Sequence, residues 1–459
     1  MQPQFKLWIS VSLLAAGMLF TVLLSQPVSA PAKDRIVILI TLDGFPAYGF
    51  DDPALPVPTL WKMIREGAWA RRMTVANPSV TWPNHTTLVT GVAPAKHGVL
   101  FNGLLTRPDP RSPVKVEPWR DKSEMVRVPT LYDLAHRAGL VTAQVDWIPT
   151  QNAGTIHWEF AERPDPKGAV GREMVAAGLL TEGELTGFND GSKTNSVWRD
   201  EKWTAAAIHI IKTHRPNLLI FHLLNTDGTH HRYGPRTPAG YTALAYADAN
   251  VQRVLDALQS IGMLERATIV ISSDHGFKTV RRSIRPNALL RSQGLLKAEG
   301  AKIECDAYVV PEGGTAMVYV TDPVNRQRLV PRLKELFGPV EGVEQIWEPA
   351  DYASRGLPTP EENTQMADLV LVARDGYSFS ASHEGEVAGP VPAGTTPGSH
   401  GYPSSDPEMD GIFVAWGWGI RPGARLERIE NTDVAPTLAK LLNLRMENVA
   451  GRELREILK

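Results

Sequence analysis

The hydrophobic pattern of the chain alternates between short apolar runs and longer amphipathic stretches. Mostly apolar runs of strand length occupy residues 36–42, 140–145, 217–224, 268–271 and 412–416. Nearly continuous apolar character is typical of parallel strands, because helices cover both faces of a parallel sheet. Helical periodicity appears between these runs, at 128–138, 200–214, 241–261 and 432–442. The alternation predicts an α/β fold with a largely parallel central sheet and helices on both faces.

A second pattern interrupts this alternation late in the chain. Residues 302–368 contain strand-like runs of their own, at 307–310 and 316–320, and a helical stretch at 325–337. We therefore expect a small α/β cap inserted into the main fold at about 280–395. Residues 104–127 and 163–191 are rich in Pro, Gly and charge, which predicts surface excursions.

The first 30 residues differ from the rest. A short segment carrying Lys6 precedes an apolar stretch at 7–24, and Val28-Ser29-Ala30 offers small residues around a cleavage point. This pattern is typical of a secretory signal peptide, so we expect an exported, periplasmic or secreted protein with a mature chain of 31–459. A retained membrane anchor is the alternative, because 18 apolar residues approach the length that spans a bilayer.

Composition limits the chemistry that the chain can perform. The formal net charge of -2 provides no basic field, so duplex nucleic acid is not an expected partner. Cys305 is the single cysteine, which excludes an intramolecular disulfide and any cluster of several thiolates. A bound transition metal would therefore need ligands from carboxylates and from the 12 histidines.

Polar residues follow several of the predicted strands. Ligands of open parallel sheets bind at the carboxyl ends of the strands, so these residues are candidates for chemistry. They are Asp43 after the first run, Asp227 and His231 after the third, and Asp274 and His275 after the fourth. His400 lies in a later Gly-rich turn. Each feature alone also fits a polar turn, a cap or a structural histidine.

Thr81 is the candidate nucleophile. It stands just before Pro83, which suits the first turn of a helix that Thr86 to Val89 would continue. Backbone N–H groups at a helix N-terminus attract anions such as phosphate, and a metal ion can lower the pKa of a hydroxyl. The alternative is that Thr81 only caps the helix. Together with the strand-end residues, Thr81 suggests two ions clamping an in-line phosphoryl transfer.

Several of these motifs occur together in an order known from one enzyme family. The chain resembles the nucleotide pyrophosphatase/phosphodiesterase (type I phosphodiesterase) family of the alkaline phosphatase superfamily, over about residues 36–458. The motifs that carry the resemblance are Leu42-Asp43-Gly44, Thr81-Trp82-Pro83-Asn84-His85, Ser273-Asp274-His275-Gly276 and His400-Gly401-Tyr402. The resemblance implies an alkaline-phosphatase-like sandwich whose catalytic domain spans 31–459.

The resemblance also implies a site with two Zn²⁺ ions. One ion would be held by Asp227, His231 and His400. The other would be held by Asp43, Asp274 and His275, with Thr81 completing its ligands. Thr81 would attack phosphorus to form a phospho-threonine intermediate, which water would then release. Asn102 matches the family residue that contacts a phosphoryl oxygen, although it also fits a turn residue before Gly103.

Two positions depart from the family pattern. Trp82 and His222 stand where members with nucleotide activity place the Phe and Tyr that enclose the base. We expect Trp82, His222 and Asn102 to bind substrate. Nucleotide preference is left open, because the imidazole of His222 stacks on a base less well than the Tyr ring of the family. Cys305 does not lie in the motif of a sulfatase. The Arg that grips phosphomonoesters has no evident counterpart, which favours diesters.

The leading hypothesis is an exported two-zinc phosphodiesterase or nucleotide pyrophosphatase that acts on a small phosphate diester or nucleotide. A phosphomonoesterase or phosphonate hydrolase on the same metal core is the alternative among soluble enzymes. A non-catalytic phosphate-binding relative and a membrane-anchored phosphoethanolamine transferase are alternatives of other classes. The sequence leaves open the exact substrate, the leaving group, the oligomeric state and the roles of Cys305 and His230.

Overall fold

The computed structural model describes residues 32–192, 194–392, 394–395 and 397–459. The predicted signal peptide, at 1–30, lies outside the described residues. Within the described ranges, no helix combines the length and the apolar character needed to cross a bilayer.

The strands are short and distributed along the whole described chain. In the first half they are β1 (Ile36–Leu42), β2 (Ala68–Thr74), β3 (Leu104–Thr106), β4 (Lys115–Glu117), β5 (Thr142–Val145), β6 (Trp158–Phe160), β7 (Leu218–Leu223), β8 (Ala267–Ser272), β9 (Lys278–Thr279) and β10 (Arg282–Ile284). In the second half they are β11 (Leu296–Glu299), β12 (Lys302–Cys305), β13 (Ala307–Pro311), β14 (Thr315–Val320), β15 (Val343–Trp347), β16 (Leu369–Ala373), β17 (Tyr377–Phe379), β18 (Ala388–Pro390), β19 (Gly398–Ser399), β20 (Gly411–Gly417) and β21 (Arg425–Glu430).

Helices alternate with these strands. The α-helices are α1 (Pro58–Glu66), α2 (Thr81–Thr90), α3 (Pro94–His97), α4 (Lys122–Met125), α5 (Leu131–Arg137), α6 (Ala169–Ala176), α7 (Glu182–Thr186), α8 (Ser196–His214), α9 (Asn225–Tyr233), α10 (Pro238–Ser260), α11 (Pro286–Ser292), α12 (Arg326–Phe337), α13 (Pro349–Tyr352) and α14 (Val434–Leu441). Short 3₁₀ helices span Ala47–Asp51, Leu264–Arg266, Pro323–Asn325, Ala353–Arg355, Pro407–Met409, Asn431–Asp433 and Arg455–Ile457.

The main sheet has the strand order β21-β2-β20-β8-β1-β7-β5-β6. Neighbouring strands from β8 to β6 are parallel, and β2 is parallel to β21. The prediction of a largely parallel sheet is confirmed. The run at 412–416, read as another parallel strand, is the exception, because β20 is antiparallel to both β2 and β8. An apolar run indicates that both faces of a strand are buried, but it does not indicate whether the strand is parallel or antiparallel to its neighbours.

The two faces of the sheet are packed by different helices. On β1, Val37 and Leu39 belong to one core cluster, whereas Ile36, Ile38 and Ile40 belong to the other. This alternation follows from the two-residue period of a strand. Helices α2, α5 and α14 contribute to the first cluster, and α1, α8 and α10 contribute to the second. Helix α8 begins earlier than predicted, because the Asn195 side chain accepts the Trp198 N–H at 2.9 Å and caps it.

The chain between β8 and β20 builds the additional structure that the sequence suggested. Strands β13-β14-β16-β15 form an antiparallel sheet, and β17-β10-β18 form a smaller mixed sheet. Val318 and Leu371 of the larger sheet share a core cluster with Val37 and Leu39 of β1. The inserted sheet is therefore anchored in the main core. We propose that this cap extends over about residues 280–395.

Candidate active site

The candidate site lies where β1, β7 and β8 end. Asp43 directly follows β1, and Asp274 follows β8 after one intervening residue. The Asp43 N–H donates to the Leu223 carbonyl at 2.9 Å, and the Gly44 N–H donates to Asp274 Oδ1 at 3.1 Å. Gly44 has φ +65°, and a Cβ there would lie 2.8 Å from the Phe277 ring. Glycine at 44 therefore permits the sharp turn that aims the two carboxylates at each other.

The first group of candidate ligands is Asp227, His231 and His400. His231 Nε2 lies 3.3 Å from Asp227 Oδ1, and His400 Nε2 lies 3.7 Å from the same oxygen. Each imidazole donates its Nδ1–H to a backbone carbonyl, His231 to that of Gly398 and His400 to that of Ser79. Such bonds leave the Nε2 lone pairs facing Asp227, which is the orientation that metal ligation requires.

The second group is Asp43, Asp274 and His275, all fully buried. His275 Nε2 lies 3.4 Å from Asp43 Oδ1 and 3.2 Å from Asp274 Oδ2. The His275 and His400 rings stack with their centroids 3.7 Å apart. The two groups of ligands are therefore direct neighbours at one edge of the sheet.

The residues of both groups fit metal ions. Asp43 Oδ1, Asp227 Oδ1, Asp274 Oδ2 and His275 Nε2 are buried without a hydrogen-bond partner among the described residues. Unpaired buried polar atoms are costly unless something binds them. The donor separations of 3.2 to 3.7 Å are close to the roughly 3.3 Å expected of tetrahedral ligands about 2.0 Å from a Zn²⁺ ion.

The electrostatics of the site support the same conclusion. Burial, together with the carboxylates of Asp274 and Asp227, raises the pKa of Asp43 well above its usual range. Burial lowers the pKa of His275 to about 4 and that of His400 to about 3, so both imidazoles are neutral at pH 7. The neutral imidazole is the form that binds a divalent cation, and such a cation would offset the repulsion between carboxylates that raises the pKa of Asp43.

Thr81 is the first residue of α2, and Val80 is the extended residue before it. Thr81 therefore does not serve as the N-cap, which was the alternative to a nucleophile. It is 9% exposed and lines a cavity of about 260 Å³ together with Asp43, Asp227 and His400. The structure thus brings the candidate nucleophile to a single cavity with members of both ligand groups.

Asn102 lines the same cavity. Its Oδ1 accepts the Trp82 N–H at 2.9 Å. Because the amide oxygen is occupied by the start of α2, the Nδ2 group is the end of the side chain available as a donor. This arrangement is compatible with a contact to a phosphoryl oxygen.

His222 lines the same cavity and is also paired with two carboxylates. The side chain is buried, and its Nε2 donates to Asp43 Oδ2 at 3.0 Å while Nδ1 lies 3.0 Å from Asp146 Oδ2. Burial alone would lower the pKa of His222, but the carboxylates of Asp146 and Asp43 outweigh it and raise the pKa well above its usual value. A cationic His222 therefore holds Asp43. The expected contact of His222 with a substrate base stays a prediction.

Sequence reasoning gave no role to several other residues around the site. His85 donates Nδ1–H to the Thr81 carbonyl at 2.9 Å and accepts the Thr41 hydroxyl at Nε2, 2.7 Å away. Asp146 directly follows β5 and has φ +55°, so the strand-end rule that found Asp43 could have found it. Trp119 and Glu162 also line the cavity. Neither carries a sequence signal, because Trp119 lies in a predicted surface excursion and Glu162 at the edge of another.

A second cavity of about 290 Å³ adjoins the first. Both cavities are lined by Trp82, Trp119, Ile148 and Glu162. The Trp82 and Trp119 ring centroids are 6.1 Å apart, and the Arg163 guanidinium lies over Trp119 at 3.9 Å. The candidate metal centre therefore opens into a pocket with aromatic walls.

Comparison with known proteins identifies similar chains. A family model described as type I phosphodiesterase / nucleotide pyrophosphatase matches residues 37–403. Human ectonucleotide pyrophosphatase/phosphodiesterase family member 7 is 25% identical over 428 residues, which cover 91% of this chain and 82% of the relative. Human family member 5 is 22% identical over 445 residues, covering 94% of this chain and 79% of the relative.

A solved structure supports the fold. An inactive variant of murine ectonucleotide pyrophosphatase/phosphodiesterase 5, in complex with AMP, superimposes with a TM-score of 0.69 at 17% identity. The match covers 93% of this chain and 100% of the other. The predicted alkaline-phosphatase-like architecture is confirmed at the level of the fold.

Proposed function

The chain belongs to the type I phosphodiesterase / nucleotide pyrophosphatase family, whose model spans residues 37–403, and from this premise we propose that it hydrolyses phosphodiester or pyrophosphate bonds through Thr81. The observation that carries the proposal is the shared cavity. Thr81, Asn102 and residues of both ligand groups line it together. Loss of these neighbours would leave an isolated hydroxyl with ordinary reactivity.

We propose that the cofactor is two Zn²⁺ ions per chain. Asp227, His231 and His400 would hold one ion. The other ion would be held by Asp43, Asp274 and His275, together with the Thr81 hydroxyl. When bound, the ions supply Lewis-acid charge that lowers the pKa of the hydroxyl and stabilises negative charge on the phosphoryl group.

Thr81 Oγ then forms a bond to phosphorus as the bond from phosphorus to the leaving oxygen breaks. The Thr81 proton passes to solvent, and the leaving group takes a proton from solvent. Water subsequently cleaves the phospho-threonine ester and restores the hydroxyl. Asn102 Nδ2 donates to a non-bridging oxygen, because Asn102 Oδ1 is already occupied by the Trp82 N–H.

We propose that two buried histidines position this machinery. His222 donates to Asp43 Oδ2, which directs Asp43 Oδ1 towards His275. His85 donates to the carbonyl of Thr81 and thereby ties the start of α2 to Thr41 on β1. We assign both to positioning, in line with the outer-shell partners that orient metal ligands in other proteins.

The adjoining pocket supports a diester in preference to a monoester. A monoester needs room only for the phosphate and one leaving group, whereas a diester carries a second substituent that must be bound. The pocket is lined by Trp82 and Trp119, which offer aromatic surface for a planar group. The murine structural relative binds AMP. We propose a nucleoside or similar planar substituent on the phosphate, bound by Trp82 and Trp119.

The test compares a nitrophenyl nucleoside monophosphate diester with nitrophenyl phosphate, using zinc-loaded protein. We expect kcat/KM for the diester to be higher by about 10- to 100-fold, since one stacking contact is worth about 1–3 kcal/mol. Trp119→Ala should remove most of that advantage, while Trp198→Ala, which lies outside both cavities, should not. Faster turnover of the monoester would favour the phosphomonoesterase alternative, and binding without turnover of either ester would favour a non-catalytic relative.

We also propose that residues 1–30 direct export and are then removed. The support is the charge, apolar length and small-residue pattern of that segment. N-terminal sequencing of the exported protein should begin near residue 31. A chain that retains residues 7–24 would instead be a membrane-anchored form.

A further inference from the structure

A second set of metal-ligating side chains lies outside the active site. Glu173 belongs to α6, and His209 and His214 belong to the C-terminal part of α8. Both imidazoles point at one carboxylate oxygen, with His209 Nε2 2.9 Å and His214 Nε2 2.7 Å from Glu173 Oε2. All three donor atoms lie within 4.8 Å of one another.

The cluster lies at the opposite end of the sheet from Thr81. His214 is the last residue of α8, and the chain then enters β7 at Leu218. Trp158 is the first residue of β6, and its ring stacks on His214 with centroids 3.5 Å apart and an interplanar angle of 13°. Since β6 and β7 run parallel to the strands that end at the active site, their first residues mark the other edge of the sheet.

We propose that Glu173, His209 and His214 form a third metal site, for Zn²⁺ or a cation of similar preference, that links α6 to α8. Two imidazoles and one carboxylate are a known donor set for Zn²⁺, and a water would complete four ligands on the open side. The inference is independent of phosphodiester hydrolysis, because no residue of the cluster lines the active-site cavity.

The geometry is close to that of a bound ion. The donor separations of 2.7 and 2.9 Å would need to widen to roughly 3.3 Å for Zn²⁺ ligands. The Glu173 side chain is 34% exposed, so it can rotate outwards without disturbing the core. His214 is held by its stack on Trp158, which restricts the imidazole before any ion binds.

The surrounding backbone also favours a cation. His214 occupies the last turn of α8, where unpaired carbonyl groups concentrate negative potential. Glu173 adds a carboxylate between the two imidazoles. A divalent ion would therefore enter a site that already carries negative charge.

The experiment uses the full chain, stripped with chelator and then dialysed to equilibrium against buffers of stepped free Zn²⁺ concentration, and it measures the metal bound per chain. We expect wild-type protein to hold one ion more per chain than the double variant His209→Gln/His214→Gln, which keeps polar side chains of similar reach. The diester kcat/KM of that variant should stay within about twofold of wild type, because the changed residues lie at the far end of the sheet. His383→Ala, which removes an unrelated histidine, should keep the wild-type metal content.

A thermal measurement provides a second, independent readout. Adding Zn²⁺ should raise the unfolding midpoint of wild type by about 2–4 °C more than it raises the midpoint of the double variant, because the ion binds only the folded chain. Equal metal content and equal zinc-induced shifts of the midpoint in the two proteins would overturn the proposal. They would show that the cluster is only two histidines hydrogen-bonded to a carboxylate. Glu173→Gln provides a further check and should give the same loss of one ion.

Discussion

The ligand groups at the strand ends and the cluster between α6 and α8 use the same residue types. They differ in whether their polar atoms have hydrogen-bond partners. At the strand ends, buried atoms such as Asp43 Oδ1 and Asp274 Oδ2 have no hydrogen-bond partner among the described residues. In the helical cluster, Glu173 Oε2 already accepts from His209 and His214.

This difference predicts different dependence on metal. A buried set with unpaired lone pairs is strained without a cation, whereas a partly exposed set can satisfy itself by hydrogen bonding. The strand-end groups should therefore hold their ions tightly and serve chemistry. The helical cluster should be occupied according to the zinc concentration and should serve stability.

The largest expected effect is the loss of the nucleophile. Thr81→Ala should lower kcat/KM for a diester by at least about 10³-fold, since the variant lacks the hydroxyl that forms the bond to phosphorus. Metal content should remain close to that of wild type. Thr90→Ala, at the far end of the same helix, is the matched control and should remain active. Turnover near the wild-type rate in Thr81→Ala would contradict the mechanism.

Removal of a single metal ligand should have the next largest effect. Asp274→Asn should lose one ion and reduce activity by at least about 10²-fold. Changing a residue that only orients a metal ligand already costs up to about 10²-fold. His209→Gln/His214→Gln should also lose one ion and yet keep its activity. Measuring metal content and turnover on both variants separates the two regions. A loss of activity in both would mean that they are coupled.

His222 tests whether a buried residue behind the ligands positions them. His222→Gln should weaken zinc binding or lower kcat by about 10- to 100-fold, because Asp43 loses the donor on its Oδ2. The effect should be the same for a nucleoside diester and for bis-nitrophenyl phosphate. If His222 instead stacked on a base, KM for the nucleoside substrate alone would rise, and the metal content would not change.

The smallest expected effect concerns acid stability near α2. His97 is fully buried, accepts the Val99 N–H at Nδ1 and lies 3.0 Å from Thr87 Oγ1 through Nε2. Burial lowers its pKa from 6.5 to about 3. The unfolded chain therefore takes up the proton first, so the stability is complete above pH 6.5 and is lost as the pH falls towards 3.

Between pH 6.5 and 5 this loss amounts to about 2 kcal/mol for wild type. His97→Gln should show a correspondingly shallower fall of the unfolding free energy over the same range, measured by urea denaturation. Thr90→Ala, which changes the same part of the fold and leaves the imidazole of His97 in place, is the control and should keep the wild-type slope. Equal slopes in wild type and His97→Gln would show that His97 is not the group being titrated.

The sequence was most informative where chemistry follows directly from local order. Apolar runs identified β1, β5, β7 and β8, and the polar residues after them included Asp43, Asp227 and Asp274. These inferences work because strand ends of a parallel sheet meet at one edge, so that short motifs distant in the chain converge. The order of the motifs was also enough to indicate the family.

Tertiary structure alone decided the features that depend on which element packs against which. The direction of β20, the pairing of His222 with Asp43 and Asp146, and the aromatic wall formed by Trp119 leave no local pattern. Glu173 and His209 are 36 residues apart and meet only because α6 packs beside α8. A residue's neighbours along the chain determine its local structure, but side chains from separate elements meet only when the core has brought those elements together.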